Sequence, residues 1–247
     1  MKIIGVIPAR YDSKRFPGKV LADILGKPLI QRIYEQARKA KLLNDVLVAT
    51  DNQEIFDVVE NFRGKAIMTS SNCSSGTDRV AEVARNLDAD IFVNIQGDEP
   101  LISPEVISKV AQTLIEDNAI DIATVCRKIT TQEELNNPNV VKVVIDNSGF
   151  ALYFSRAQIP YVRNSSEVKN LSFVSYKHFG LYGYRRAFLL NFPQMKQGLL
   201  EKAEDLEQLR ALENGYRIKV VITKHDSIGV DTQEDLEKVR KIVENSK

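Results

Sequence analysis

Short apolar runs alternate with amphipathic stretches through the first half of the chain. The runs are rich in Val and Ile and are bounded by polar or turn residues, which is typical of buried strands. The predicted strands are Lys2–Ala9, Asp45–Thr50, Lys65–Thr69, Asp90–Gln96 and Asp121–Arg127. Helices are predicted between them, over Pro28–Ala40, Gln53–Phe62, Thr77–Asn86 and from Ser103 to about Asp117. This order predicts an α/β protein with a mainly parallel central sheet and helices on both of its faces.

The second half has a different pattern, in which two short apolar runs flank a turn sequence. The predicted elements are paired strands at Val140–Asp146 and Ala151–Ser155, a helix over Leu199–Glu213, a strand over Arg217–Thr223 and a final helix over Thr232–Asn245. The chain shows no low-complexity linker and no internal repeat. Residues 1–247 are therefore predicted to form a single domain, with a smaller substrate-binding subregion inserted at about residues 135–200.

The charge balance narrows the range of functions. The 247 residues include 34 Lys and Arg against 33 Asp and Glu, so the net charge at pH 7 is +1. A near-neutral protein has no overall attraction to nucleic acid or to an anionic membrane, so phosphate-binding charge is expected to be local. The first apolar run is too short for a signal peptide or a membrane span, which predicts a cytoplasmic protein. Cys73 and Cys126 belong to no CxxC pair and predict neither a zinc site nor a disulfide.

A cluster of cations follows the first predicted strand, where ligands bind in open α/β sheets. Four cations fall within ten positions, namely Arg10, Lys14, Arg15 and Lys19. Arginine forks and a lysine point charge suit a triphosphate, and a solvated basic loop is the alternative. The loop is not a Walker A motif, because Ser13 stands where glycine is needed and Val20 follows Lys19. The G-x-G-x-x-G motif is also missing after this strand, so a P-loop ATPase and a Rossmann oxidoreductase are both excluded.

Two aspartates lie in loops that are expected at the same edge of the sheet. Asp98 follows a predicted strand in a tight turn, and Asp231 precedes the last predicted helix. Mg²⁺ binds through one or two carboxylates together with substrate phosphates. Each aspartate alone is equally consistent with capping a turn or a helix. Together, opposite a cationic loop, they have the composition of a site for Mg²⁺ and a nucleotide.

A third loop, Ser74–Arg79, places small residues before a predicted helix. Backbone N–H groups at such a helix start can approach a base or a phosphate. Simple helix capping is the alternative interpretation of this pattern.

Seven blocks of the sequence resemble, in order, the CMP-sugar-acid synthetases, and among them the 3-deoxy-manno-octulosonate (Kdo) cytidylyltransferase family. The blocks are Pro8–Lys19, Ser75–Arg79, Gln96–Pro100, Tyr153–Arg156, His178–Tyr184, Leu206–Arg210 and Gly229–Thr232. They span essentially the whole chain. Phe16 is a departure, because many members have Leu there, and it is expected to alter packing rather than chemistry.

The resemblance implies a Rossmann-like nucleotidyltransferase fold and the transfer of CMP from CTP to the anomeric hydroxyl of Kdo, with Mg²⁺ as the cofactor. The product, CMP-Kdo, would serve lipopolysaccharide biosynthesis, and the inserted subregion would also support a homodimer. The implied catalytic residues are Lys19, Asp98 and Asp231, of which the two aspartates would hold the metal. The implied nucleotide-binding residues are Arg10, Arg15, Lys19, Ser75, Gly76 and Arg79. The implied sugar-acid-binding residues are Gln96, Arg156, His178, Tyr182, Glu207 and Gln208.

Three other interpretations stay open. The sugar acid could be sialic acid or an 8-amino analogue of Kdo. A sugar-1-phosphate nucleotidyltransferase is a second interpretation, although its glycine-rich start is missing from this chain. The third is a non-catalytic nucleotide-binding protein, which would have no need for the two carboxylates. Without the resemblance, His178 and Tyr182 would be assigned to an aromatic core or a dimer seam, and no residue is identified as a separate general base.

Overall fold

The structure, a computed structural model, describes residues 1–11, 16–163 and 175–245. The described strands are β1 (Ile3–Ala9), β2 (Asp23–Ile24), β3 (Lys27–Pro28), β4 (Asp45–Thr50), β5 (Ala66–Met68), β6 (Ile91–Asn94), β7 (Ile122–Lys128), β8 (Lys142–Ile145), β9 (Ala151–Ser155), β10 (Tyr176–Arg185) and β11 (Ile218–Thr223). The described α-helices are α1 (Leu29–Ala37), α2 (Gln53–Asn61), α3 (Gly76–Asn86), α4 (Pro104–Glu116), α5 (Gln132–Asn136), α6 (Arg186–Asn191), α7 (Leu199–Glu204), α8 (Gln208–Glu213) and α9 (Gln233–Glu244).

The central sheet is mainly parallel, as the alternation of apolar runs and helices predicts. Its strand order along the main path is β11-β7-β10-β6-β1-β4-β5. The pairs β1–β4, β1–β6, β4–β5 and β7–β11 are all parallel. The carboxyl ends of these strands therefore lie along one edge, and the loops that follow them meet there.

One strand of the main path runs against the others. β10 pairs antiparallel with β6 and β7, so its first residues lie at the edge where its neighbours end. The β8–β9 hairpin also pairs antiparallel with β10, through Tyr176 and Lys177. The hairpin and β10 fall within residues 135–200, where an inserted substrate-binding subregion is predicted, and they extend the central sheet; that subregion stays a prediction.

Apolar side chains fill both faces of the sheet. One core cluster joins strand residues such as Ile7 and Val48 to apolar faces of α1, α2, α4 and α9. The other joins Ile4 and Val6 to α3, α6 and α8. Because the side chains of a strand alternate between faces, β1 contributes to both clusters. The fold prediction is thus confirmed.

One predicted helix is wrong in its extent. The stretch Leu199–Glu213 forms two short helices, α7 and α8, separated at Asp205. Asp205 has a φ of 51°, in the left-handed region, which ends α7. After the break, the next helix begins at Gln208, with Glu207 directly before it.

The final helix begins as predicted. Thr232 accepts a hydrogen bond from Asp235 N, and the Asp235 carboxylate accepts one from Thr232 N, which completes the capping box. Ser75 and Asp78 form the same motif at the start of α3. Among the helices of the three described ranges, none has the length and apolar character needed to cross a bilayer.

Candidate functional site

A cleft of about 560 Å³ opens at the carboxyl edge of the sheet. Its walls come from the loops after β6 and β11, the start of β10, the approach to β8 and the segment between α7 and α8. The lining residues are Gln96, Asp98, Glu99, Asn139, Val140, Val141, Lys177, His178, Phe179, Gly180, Tyr182, Asp205, Leu206, Glu207, Gln208, Ser227, Ile228, Gly229, Asp231 and Asp235. Polar groups on several elements therefore converge on one space, as expected of a ligand site.

Lys19 joins the two predicted metal ligands at one side of this cleft. Its Nζ lies 2.8 Å from Asp98 Oδ2 and 3.0 Å from Asp231 Oδ1. The aspartates are far apart in sequence, but Val230 N donates to Asp98 O at 2.8 Å and holds their loops together. The strand-end rule thus placed these three side chains correctly.

The approach of β6 to β1 depends on Gly97. A Cβ at this position would lie 2.6 Å from Pro8 O, closer than any side chain tolerates. Only glycine lets the turn that carries Asp98 pass directly over the end of β1. The small residue therefore brings the carboxylate beside the loop that carries Lys19.

The charge of Lys19 is held by its surroundings. Burial acts to lower the pKa of its ammonium group, but the carboxylates of Asp98 and Asp231 outweigh burial and raise the pKa above 10.5. The side chain is therefore a fixed cation at neutral pH. A fixed cation beside two carboxylates suits a phosphate group that shares the site with a metal ion.

The two carboxylates have the chemistry of a Mg²⁺ site. Their oxygens converge on a single point, which the ammonium of Lys19 occupies. Within the described ranges, no cluster of three or more His, Cys, Asp or Glu side chains could hold a metal. Mg²⁺ does not need such a cluster, because it keeps several waters and takes its other ligands from substrate phosphates. Asp98 and Asp231 therefore fit Mg²⁺ bound together with a nucleotide.

The same cleft carries most of the predicted sugar-acid residues. Gln96, His178, Tyr182, Glu207 and Gln208 all line it. Gln96 Nε2 donates to Gly180 O at 2.7 Å, which fixes its amide against β10. Thr77, at the start of α3, donates to the Glu207 carboxylate and so connects the helix start to this wall.

Two buried polar atoms of this wall are poorly satisfied. In the described part of the chain, Tyr182 Oη and Glu207 Oε2 make no hydrogen bond of good geometry, with Thr124 close to the Tyr182 hydroxyl and Ser75 close to the Glu207 carboxylate. Burial, with smaller contributions from nearby charges, raises the pKa of the Glu207 carboxyl. Buried polar groups are normally satisfied, and exceptions occur at binding sites. These atoms are suited to meet the hydroxyl groups of a ligand or ordered water.

His178 is a neutral ring with an assigned tautomer. Burial lowers its pKa to about 3. Its Nε2 lies 2.9 Å from Thr124 Oγ1, and that hydroxyl donates its single proton to Leu181 O at 2.8 Å. With the Thr124 proton on Leu181 O, His178 donates from Nε2, and Nδ1 is the acceptor. The ring also packs edge-on against Phe154, with 4.9 Å between centroids.

The lowered pKa of His178 predicts an acid-sensitive contribution to stability. Below its ordinary pKa of 6.5 the unfolded chain binds a proton there, whereas the folded ring stays neutral down to about pH 3. The contribution is thus complete above pH 6.5 and is lost as the pH falls. We expect His178→Gln to melt at a lower temperature than the wild type at pH 7. The gap between the two melting temperatures should narrow steadily as the pH falls towards 4. Calorimetry across this range measures the gap, with His225→Gln as the control; a gap independent of pH would contradict the prediction.

The predicted nucleotide residues surround the end of β1. Arg10 donates to Cys73 O and to Ser74 O, which ties the two loops together. Ser75 caps α3, and a Cβ on Gly76 would lie 3.4 Å from Pro8 Cγ. Arg79 is fully buried and donates to Asp51 Oδ2 at 2.8 Å and to Thr69. Arg15 lies outside the described residues. The role of this group in nucleotide binding stays a prediction.

Arg156 is the described member of the sugar-acid set that does not line the cleft. Its guanidinium donates to the backbone carbonyls of Glu204 at 2.7 Å and of Pro138 and Asp205 at 3.2 Å. Direct contact between Arg156 and a ligand stays a prediction.

Sequence reasoning missed several lining residues. Glu99 is the clearest case: it is 8% exposed, and burial together with the charge of Asp98 raises its pKa to about 7. Its position directly after Asp98 is the feature of the sequence that could have identified it as a lining residue. Lys177 is the one lysine or arginine among the described lining residues, and it pairs with Asp226 at 3.1 Å. No local pattern marks it.

The fold and the cleft define the class of this protein. A 4-diphosphocytidyl-2C-methyl-D-erythritol synthase from Anaerococcus prevotii shares the fold, with a TM-score of 0.64 at 14% identity over 98% of both chains. The cytidylyltransferase family matches this chain over residues 4–220. The architecture is that of a nucleotidyltransferase.

Two further comparisons are much closer. A 3-deoxy-manno-octulosonate cytidylyltransferase from Geotalea uraniireducens is 55% identical over 245 residues, which cover 97% of this chain and 98% of the relative. A CMP:2-keto-3-deoxy-manno-octonic acid synthetase, solved in complex with CTP, is 43% identical with a TM-score of 0.94 and covers both chains completely. The chain therefore belongs to the 3-deoxy-manno-octulosonate cytidylyltransferase family, which confirms the family prediction.

Proposed function

We propose that this protein transfers CMP from CTP to the anomeric hydroxyl of Kdo, giving CMP-Kdo and pyrophosphate. The observation that carries the proposal is the presence of two chemically different sets of groups at one cleft. The first set, Lys19 with the Asp98–Asp231 pair, suits a triphosphate and is called the phosphate side. The second set, Gln96, His178, Tyr182, Glu207 and Gln208, can bind hydroxyl groups and is called the sugar-acid side. Two substrates bound to these sets would share the same cleft.

The nucleotide would bind at the junction of β1, α3 and Lys19. Arg10, Arg15, Ser75, Gly76 and Arg79 would hold CTP, with Lys19 against its phosphates. Asp98 and Asp231 would hold Mg²⁺, which supplies charge neutralisation at the phosphates when it is bound. The attack on the α-phosphorus requires little covalent chemistry from the protein, so these residues act by positioning and by stabilising charge.

The sugar acid would lie against Gln96, His178, Tyr182, Glu207 and Gln208, with Arg156 proposed as a further member of the set. Neutral His178 offers an acceptor at Nδ1, while Tyr182 Oη and Glu207 Oε2 make no hydrogen bond of good geometry in the described chain. A pocket whose polar groups are satisfied only by substrate hydroxyls rejects analogues that lack them. The substrate choice would therefore reside on this side of the cleft.

The remaining parts of the proposal follow from the family. CMP-Kdo would enter lipopolysaccharide biosynthesis, and the protein would act in the cytoplasm as a homodimer. No contact with nucleic acid or with a membrane is proposed. The two alternatives within the same fold are the 8-amino analogue of Kdo and sialic acid.

Pyrophosphate release from CTP tests the proposal directly. We expect release with Kdo and none with sialic acid or glucose-1-phosphate. Truncation of His178, Tyr182 or Glu207 to Ala should raise the KM for Kdo on the order of tenfold or more while CTP binding in calorimetry stays nearly unchanged. Turnover with sialic acid or a sugar phosphate, and none with Kdo, would sink the substrate assignment while leaving nucleotidyl transfer intact.

A further inference from the structure

Lys142 is a fully buried lysine whose bonds are all to backbone carbonyls. Its side chain is 0% exposed. Its Nζ donates to Asn137 O at 2.9 Å, to Val140 O at 2.7 Å and to Arg156 O at 2.5 Å. An ammonium group has three protons, so these bonds satisfy it completely. Burial lowers the pKa of this group, which shows that its environment opposes the charge.

The side chain of Arg156 extends this set of hydrogen bonds to a second segment of the chain. Its guanidinium reaches Pro138 O in one direction and Glu204 O and Asp205 O in the other. The Glu204 carboxylate accepts from Arg156 N at 2.9 Å and from Ser155 Oγ at 2.6 Å. The end of β9 is thus tied to two separate segments of chain.

Both of these segments form walls of the cleft. Asn139, Val140 and Val141 follow the carbonyls of Asn137 and Pro138, and they line one wall. Asp205 to Gln208 line the other, directly after the Glu204 and Asp205 carbonyls. Residues 137–141 and 205–207 lie outside regular helices and strands, although Glu204 ends α7 and Gln208 begins α8. Val141 O accepts a hydrogen bond from His178 N, but among the described residues no strand ladder joins the two segments to each other.

We propose that Lys142 and Arg156 are positioning residues that set the distance between the two walls of the sugar-acid side of the cleft. The inference rests on the proposed function and gives Arg156 an indirect role in place of direct contact with the substrate. A methionine would fill the volume of Lys142 without the cost of burying a charge. The buried ammonium joins the loop at residues 137–140 to Arg156, and the Arg156 guanidinium joins that loop to Glu204 and Asp205, so the two side chains together supply a fixed spacing that packing alone does not.

The first test compares Lys142→Met and Arg156→Gln with matched controls. We expect each variant to raise the KM for Kdo by on the order of tenfold or more, because small displacements of binding groups are costly. The dissociation constant for CTP should stay within about twofold, because no CTP contact is altered. Arg185→Gln is the arginine control, since Arg185 also donates to backbone carbonyls, at Ile120 and Asp117, away from the cleft. Lys219→Met is the lysine control, since Lys219 donates to Ser148 O.

The second test separates positioning from direct contact. The carboxyl-reduced analogue of Kdo, in which a hydroxymethyl group replaces the carboxylate, serves as a competitive inhibitor of the wild type and of Arg156→Gln. Positioning predicts that Arg156→Gln weakens Kdo and the analogue by the same factor. Direct contact with the carboxylate predicts that only Kdo weakens, and this result would overturn the inference for Arg156.

The outcomes distinguish this inference from the proposed function. A wild type that releases no pyrophosphate with CTP and Kdo defeats the function, and the positioning role with it. A wild type that turns over normally, with an unchanged KM for Kdo in both variants, defeats the positioning role alone. If Lys142→Met does not fold, Arg156→Gln decides the question by itself.

Discussion

Asp98→Asn and Asp231→Asn are each expected to lower turnover with CTP and Kdo on the order of a hundredfold or more. An amide keeps the shape of the side chain but loses the negative charge that Mg²⁺ requires. The loss should persist at saturating Mg²⁺, because binding more metal cannot restore the charge balance around the phosphates. Pyrophosphate release measures turnover, and the melting temperature shows whether the fold is intact.

Asp45→Asn is the matched control for this pair. Asp45 also lies between two cations, Arg38 at 3.2 Å and Lys65, but it begins β4 at the opposite edge of the sheet. Its replacement should leave turnover unchanged. If both cleft variants kept nearly normal turnover, the carboxylates would have no role in the chemistry.

Lys19→Met should have an effect of similar size, again on the order of a hundredfold or more in turnover. The variant removes a fixed cation from the phosphate side of the cleft, together with the ammonium group that joins the Asp98 and Asp231 carboxylates. Lys19→Arg should retain part of the activity, since it keeps the charge but spreads it over a planar fork. Steady-state kinetics with varied CTP separates a loss of binding from a loss of turnover.

The same variant gives a second, activity-independent result. Without Mg²⁺, Lys19→Met should melt at a lower temperature than the wild type, because the variant loses the two ion pairs of the Lys19 ammonium with Asp98 and Asp231. Addition of MgCl₂ should raise the melting temperature of the variant more than that of the wild type, since the ion replaces the missing ammonium. Lys65→Met, which removes a surface partner of Asp45, should show no such gain. An equal response in all three proteins would contradict a shared metal and lysine site.

The parallel half of the sheet was predictable because buried strands are apolar on both faces. β4 agrees with its prediction at both ends, over Asp45–Thr50. Most predicted helix boundaries agree within one residue, and the largest difference lies at the end of a helix. The predicted helix Pro28–Ala40 ends as α1 at Ala37. Capping residues mark where a helix begins, whereas the last turn depends on packing that the sequence does not display.

The place of β10 in the sheet, between β6 and β7, could not be predicted from the sequence. Its aromatic run was consistent with either a core or a dimer seam, and its partners Asn94 and Thr124 lie far away in the sequence. The pairing of distant segments has no local signature. The break at Asp205 was missed for a similar reason, because the residues around it keep a helical apolar pattern.

The candidate site was predictable where a rule of topology applies. Lys19, Asp98 and Asp231 each follow a strand or precede a helix at one edge, and they do meet. No rule of topology predicts the position of the Arg156 side chain. Its guanidinium donates to backbone carbonyl oxygens, which every residue possesses. The sequence therefore does not distinguish an arginine that binds backbone carbonyls from one that binds a substrate carboxylate. Lys142 was missed on the same grounds.

The reversed direction of β10 has a consequence for engineering. His178 and Tyr182 lie on a strand inside the sheet, so each is fixed by ladder bonds to its neighbours as well as by its own packing. Many enzymes of this general architecture carry their specificity on loops, which can be exchanged between relatives. Here, transplanting loops would leave both side chains in place. If the proposed sugar-acid role of these two residues holds, a change of acceptor sugar requires repacking a central strand together with the β6 and β7 strands on either side of it.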